Sequence, residues 1–101
     1  MRKIKLFLTV LAVLMTSVAF AQSLTVKGLV LDQATGDPVP FASVHEKGTM
    51  NGINTDVDGN YSITVSKDAV LVFSSIGYTA VEIPVAGSAV VNCELPVDSE
   101  T

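Results

Sequence analysis

The chain has 101 residues, 49% of them hydrophobic, with ten acidic side chains against six basic ones and a formal net charge of −4. That length excludes more than one domain once a leader is removed, and the acidic balance excludes phosphate-backbone binding, which needs clustered Lys and Arg. With Cys93 as its single cysteine the chain cannot close an internal disulfide, so packing alone must hold it together.

Arg2, Lys3 and Lys5 precede an apolar stretch from Leu6 to Val18, broken by Thr9, Thr16 and Ser17, and Ala19-Phe20-Ala21 supplies the small residues of a cleavage site. This pattern predicts a secretory signal peptide over residues 1–21. The run is shorter than the roughly 20 apolar residues a membrane span needs, and no cysteine lies near the cleavage site to carry a lipid. From Gln22 onward the chain keeps Lys27, Lys47 and Lys67 as its basic residues together with all ten acidic ones. It divides into one domain over 22–96 and an acidic linker or tail over 97–101. A domain of that size buries only about 60–65% of its unfolded surface, so every strand must contribute to a thin core.

Leu24 to Asp32 reads as a first strand, and Gln33 to Pro40 as a turn, because Pro38 and Pro40 each remove a ladder donor. Ala42 to Lys47 reads as a second strand with Ala42 and Val44 inward. Asn51-Gly52 is a hairpin signal, since both central positions of a type I′ turn favour positive φ. A short third strand, Ile53 to Thr55, ends at the turn Asp56-Val57-Asp58-Gly59. Tyr61, Ile63 and Val65 alternate with Ser62 and Thr64, the period of a strand covered on one side. Val70 to Phe73 is continuously apolar and reads as a central strand buried on both faces. Gly77 interrupts it, Tyr78 to Val85 resumes the alternation, and Ser88 to Leu95 closes the domain with Val91, Cys93 and Leu95 on one face.

Seven short strands with frequent turn signals and no amphipathic helix predict an all-β fold, a seven-stranded antiparallel Greek-key sandwich. Gly48, Gly52, Asp56, Asp58, Gly59 and Gly77 are its expected turn residues. Val26, Val44, Tyr61, Ile63, Val72, Phe73 and Tyr78 are its expected core.

No catalytic constellation accompanies these elements, and neither enzyme activity nor a cofactor is expected. Asp56, Asp58 and Asn60 have the spacing that opens a calcium loop, but Tyr61 stands where that loop needs Gly and Lys67 where it needs Glu. A plain turn with solvated carboxylates is expected instead. His45 lacks the partners for a zinc site, and Ser74 and Ser75 lack a nucleophile elbow. Cys93 is expected to be a small core residue, having no adjacent cation to lower its pKa.

Over Leu24 to Leu95 the chain resembles the carboxypeptidase-regulatory-like (transthyretin-type) domain. The residues that carry this are Val26-Lys27-Gly28, Gly48-Thr49, Thr55-Asp56 with Asp58-Gly59, and Ser75-Ile76-Gly77-Tyr78, in order behind a signal peptide. The same combination is similar to the amino-terminal extension of SusC/RagA-type TonB-dependent outer-membrane importers of glycans and peptides. The resemblance implies a non-catalytic periplasmic accessory domain at the outer membrane. Its expected partners are proteins, either the importer's plug and barrel or components of the TonB system.

In such importers a TonB-contacting segment, a plug and a barrel follow the sandwich, so transport is not expected of these residues alone, nor is membrane insertion of the mature domain. Phe41-Ala42 stands where many relatives carry Gly. Some related sandwiches form a Lys–Asn isopeptide between first and last strands; Lys27 and Asn92 occupy those strands, but alternation turns Asn92 outward. The alternative function is a stand-alone exported module binding glycan or protein. Glycan sites usually display aromatic side chains, whereas here only Phe41 and Tyr78 are candidates for an exposed contact surface.

Overall fold

The computed structural model describes residues 23–98. The signal-peptide reading over 1–21 and the last residues of the acidic tail lie outside them. The elements are β1 (Ser23–Asp32), β2 (Ser43–Glu46), β3 (Gly52–Asn54), β4 (Asn60–Ser66), β5 (Val70–Ser74), β6 (Val81–Pro84) and β7 (Cys93–Leu95). They form two sheets, one in the order β4-β1-β7 and the other β3-β2-β5-β6.

Alternation decides what each strand buries. In β4, Tyr61, Ile63 and Val65 face inward while Ser62 and Thr64 face solvent. β4 lies antiparallel on β1, from Ser23↔Ser66 to Leu29↔Asn60. Val26 and Val30 of β1 and Cys93 and Leu95 of β7 complete the inner face of this sheet, opposite Val44, Leu71 and Phe73 of the other. The two sheets meet where the rings of Tyr61 and Phe73 pack edge to face, centroids 5.6 Å apart. Each such buried side chain stabilises the fold by about 1.5–3 kcal/mol relative to exposure. Burial also pushes the Cys93 thiol up to about 11, so it stays protonated at neutral pH.

Three sequence expectations are corrected. The pairing is not antiparallel throughout: β7 runs parallel to β1, Val30↔Cys93 to Asp32↔Leu95. These are the first and last strands of the described fold, so no hairpin constrains their relative direction.

Gly52 is not a turn residue. It is the first residue of β3, paired with His45, and it lacks the positive φ a type I′ turn would demand. A Cβ there would lie 2.9 Å from that of His45, so the glycine makes room. The reversal is built upstream instead, where Gly48 has φ +80° and the Glu46 carbonyl accepts from both the amide and the hydroxyl of Thr49.

Val72 is not in the core. In β5 it is Leu71 and Phe73 that are fully buried, and Val72 is half-buried on the outer face between His45 and Glu82. A wholly apolar run carries no phase of its own, so only the partner sheet decides which residues point in. Val72→Asp is accordingly expected to leave the domain folded and lower its stability by about 1 kcal/mol, mainly through the like charge of Glu82 opposite. Urea denaturation checks this; a fully unfolded variant would place Val72 inside.

Asn92 is exposed, its Oδ1 accepting from the amide of Leu29 at 3.0 Å, so its carboxamide lacks the dry surroundings that an isopeptide bond needs to shift the lysine.

Candidate contact surface

The segment from Val39 to Ala42 has no ladder of its own, and Thr55 holds it. Among the described residues Thr55 is the polar side chain in the buried set. Its hydroxyl accepts from the Ala42 amide and donates to the Val39 carbonyl, each at 2.8 Å. Its backbone takes the Phe41 amide at 3.2 Å and gives its own to Ala42 at 2.9 Å. Phe41 is thereby locked at φ +57°, a left-handed conformation unusual for a bulky side chain. Its ring is turned out of the fold, 65% exposed.

Across from it stands the turn Ser75–Tyr78. Gly77 adopts φ +90°, the Tyr78 amide donates to the Ser75 carbonyl, and Ile76 is left fully exposed at the tip. Pro40, Phe41, Ser43, Ser74, Ser75 and Ile76 line a shallow groove of about 520 Å³. Sequence reasoning singles out Phe41 and misses Ile76 as its companion. The available signal is an isoleucine set between Ser75 and Gly77, where a turn leaves it nothing to pack on.

Tyr78, expected both in the core and at a contact surface, is half-buried against the core edge, and its hydroxyl donates to Asp32 Oδ2 at 2.8 Å. The other Asp32 oxygen accepts from the amides of Ala34 and Thr35. The Tyr78 backbone also bridges to Val97, the Thr79 amide donates to Pro96, and that of Asp98 to Gly77. Val97 and Asp98, assigned by composition to the tail, are thus fastened to this turn.

The hydrogen bond from Tyr78, followed by that from the Thr35 amide, holds the Asp32 carboxyl below its ordinary value, and the same bond raises Tyr78. A lowered carboxylate pKa contributes stability that is present above the unfolded pKa of about 3.9 and lost as pH falls through the folded value. Tyr78→Phe is expected to be less stable than the parent at pH 7, with the gap narrowing by about pH 3. Urea midpoints at the two pH values test it; a gap that does not change with pH would mean the bond does not couple to ionisation.

The remaining turn candidates serve local structure. Asp56 Oδ1 accepts from the amides of Asp58 and Asn60, each at 2.9 Å, and Gly59 adopts φ +80°. The Asp58 side chain is exposed. Among the described residues no group of three or more His, Cys, Asp and Glu side chains converges as metal ligands would. Asp56→Ala is expected to cost about 1 kcal/mol, as loss of a capping carboxylate does, and Asp58→Ala to be near neutral. A melting shift of the parent on adding calcium would overturn this view of the turn.

Among the described residues no helix is long and apolar enough to cross a membrane. The chain is 44% identical over 97 residues to the TonB-dependent receptor SusC of Bacteroides thetaiotaomicron, covering 95% of this chain and 9% of the receptor. It is 42% identical over 67 residues to one TonB-dependent receptor of Formosa agariphila, covering 65% of this chain and 6% of that one. A second receptor from the same organism is 32% identical over 98 residues, 96% of this chain and 10% of the receptor. The chain therefore spans a tenth or less of the length of the curated relatives it matches. Residues 26–100 match the CarboxypepD_reg-like domain, and the chain belongs to that family, in the form found in SusC-like TonB-dependent receptors.

Proposed function

We propose that this chain is a non-catalytic, periplasmic accessory domain, of Greek-key transthyretin type, at the amino terminus of a TonB-dependent outer-membrane importer of glycans or peptides. It acts by protein–protein contact, and its partners are the importer's own plug and barrel or components of the TonB system. The 44% identity to SusC over nearly the whole chain supports this role. The surface assigned to the contact is the groove between Phe41 and Ile76. Holding a phenylalanine in left-handed backbone costs on the order of 1 kcal/mol, and the exposed ring recovers nothing from the core of this domain. The buried cores of protein interfaces are apolar and enriched in aromatic side chains, phenylalanine among them. Tyr78, withdrawn by Asp32, leaves Phe41 without a second aromatic face to sandwich a sugar ring, so a glycan module is the less supported reading.

Two measurements test this. Reading the source DNA in frame beyond the Thr101 codon is expected to continue into plug and barrel sequence; a stop codon would favour the stand-alone module. A photo-crosslinking residue at Phe41 is expected to capture envelope protein in cells, whereas one at Ser62 is not. Capture at both positions or neither would remove the groove from the contact.

A further inference from the structure

We infer that β1 and the chain from Ala89 to Leu95 form a mechanical seam, which resists tension entering at the C-terminal end of the domain. This property is independent of membership in a receptor. It rests on direction: β7 lies parallel to β1 and is the last strand among the described residues, so a pull along the chain beyond it runs along the strand axis. Inter-strand hydrogen bonds lie across that axis, and a load parallel to the strands strains all of them together instead of opening them one at a time.

The seam is longer than the short strand β7. The Lys27 amide donates to Ala89 and its carbonyl accepts from Val91, both at 3.0 Å, which extends the same register upstream at the Lys27↔Val90 bridge. At the far end the Gln33 amide donates to the Leu95 carbonyl at 3.0 Å. Between them the Leu29 amide bonds the Asn92 side chain, not a backbone carbonyl. The Val91 carbonyl beside it is taken by the hydroxyl of Tyr61, on the neighbouring strand β4. The interruption is therefore stitched by side chains and the seam is continuous from Lys27 to Gln33. Beyond Leu95 the backbone of Pro96–Asp98 is tied to Gly77–Thr79, so a C-terminal load meets these few bonds first and reaches β7 once they part.

Single-molecule pulling of the full chain tests the inference. Handles on Ser23→Cys and Thr101→Cys load the seam in shear. Handles on Ser23→Cys and Ser66→Cys, which are directly paired at one end of β1 and β4, peel that antiparallel pair open bond by bond. The buried Cys93 does not compete for the handles. Unfolding under force follows the barrier along the pulled direction, so the shear geometry is expected to need at least about twice the force of the peeling geometry. Asn92→Ala is expected to lower the shear force and leave the peeling force unchanged. Equal forces in the two geometries would overturn the inference, as would an Asn92→Ala effect that is absent or the same in both.

Discussion

Gly28→Ala is expected to destabilise the domain by on the order of 3 kcal/mol or more, the cost of forcing volume into a packed site with no room to yield. A Cβ at residue 28 would overlap the Val91 carbonyl oxygen and sit 2.8 Å from the Tyr61 ring. Neither neighbour can retreat cheaply. The Val91 oxygen is backbone and holds the Tyr61 hydroxyl, while the adjoining Val91 amide is bonded to Lys27. Relief would mean separating β1 from the last strand segment. Small domains have only about 5–10 kcal/mol of total stability, so a large part of the fold's margin would be gone. Urea denaturation of the purified variant measures it, and a midpoint within experimental error of the parent would show that the two segments can part without loss. The glycine's φ is not positive, so the requirement is one of space and not of backbone freedom.

The second large effect is expected at Thr55. Thr55→Val keeps the shape but leaves the Ala42 amide and the Val39 carbonyl without the hydroxyl they share. A buried polar group that loses its partner costs about 1–3 kcal/mol, so the pair is expected to cost about 2–6 kcal/mol. Thr55→Ser should recover most of this, because it restores the hydroxyl and removes only a methyl group. If valine and serine variants were equally stable, the hydroxyl would not be what holds the segment. The same Thr55→Val change is expected to loosen Phe41, whose amide and carbonyl are held by Thr55 and Asn54. Crosslinking from position 41 should then fall even at temperatures where the domain remains folded.

Tyr61 links the site of the first effect to the opposite sheet. Burial pushes its hydroxyl up to about 12, with the charge of a deprotonated Cys93 as a second cause, so it stays a hydrogen-bond donor across the physiological range. One residue thus packs on Phe73 in the opposite sheet and donates to Val91 at the seam. Its inward direction is legible from alternation with Ser62; the carbonyl it meets, distant along the chain, is not.

Sequence alone determined the class of fold and much of its local detail. The alternation of Tyr61, Ile63 and Val65 is enough to orient a strand, because successive side chains point to opposite faces. Glycines at 48, 59 and 77 mark reversals because left-handed backbone penalises other residues. The ordered motifs from Val26-Lys27-Gly28 to Ser75-Ile76-Gly77-Tyr78 were enough to recognise the family. Tertiary structure decided what depends on partners remote in sequence. It placed Leu71 and Phe73 inside and Val72 outside, since an unbroken apolar run has no preferred phase. It gave Gly52 to a strand and Gly28 to a close approach, roles that require knowing which backbone comes near. The exposed pair Phe41 and Ile76 belongs to this second group. Two turns far apart in the chain meet at one end of the fold only because Thr55 clasps one and Gly77 shapes the other.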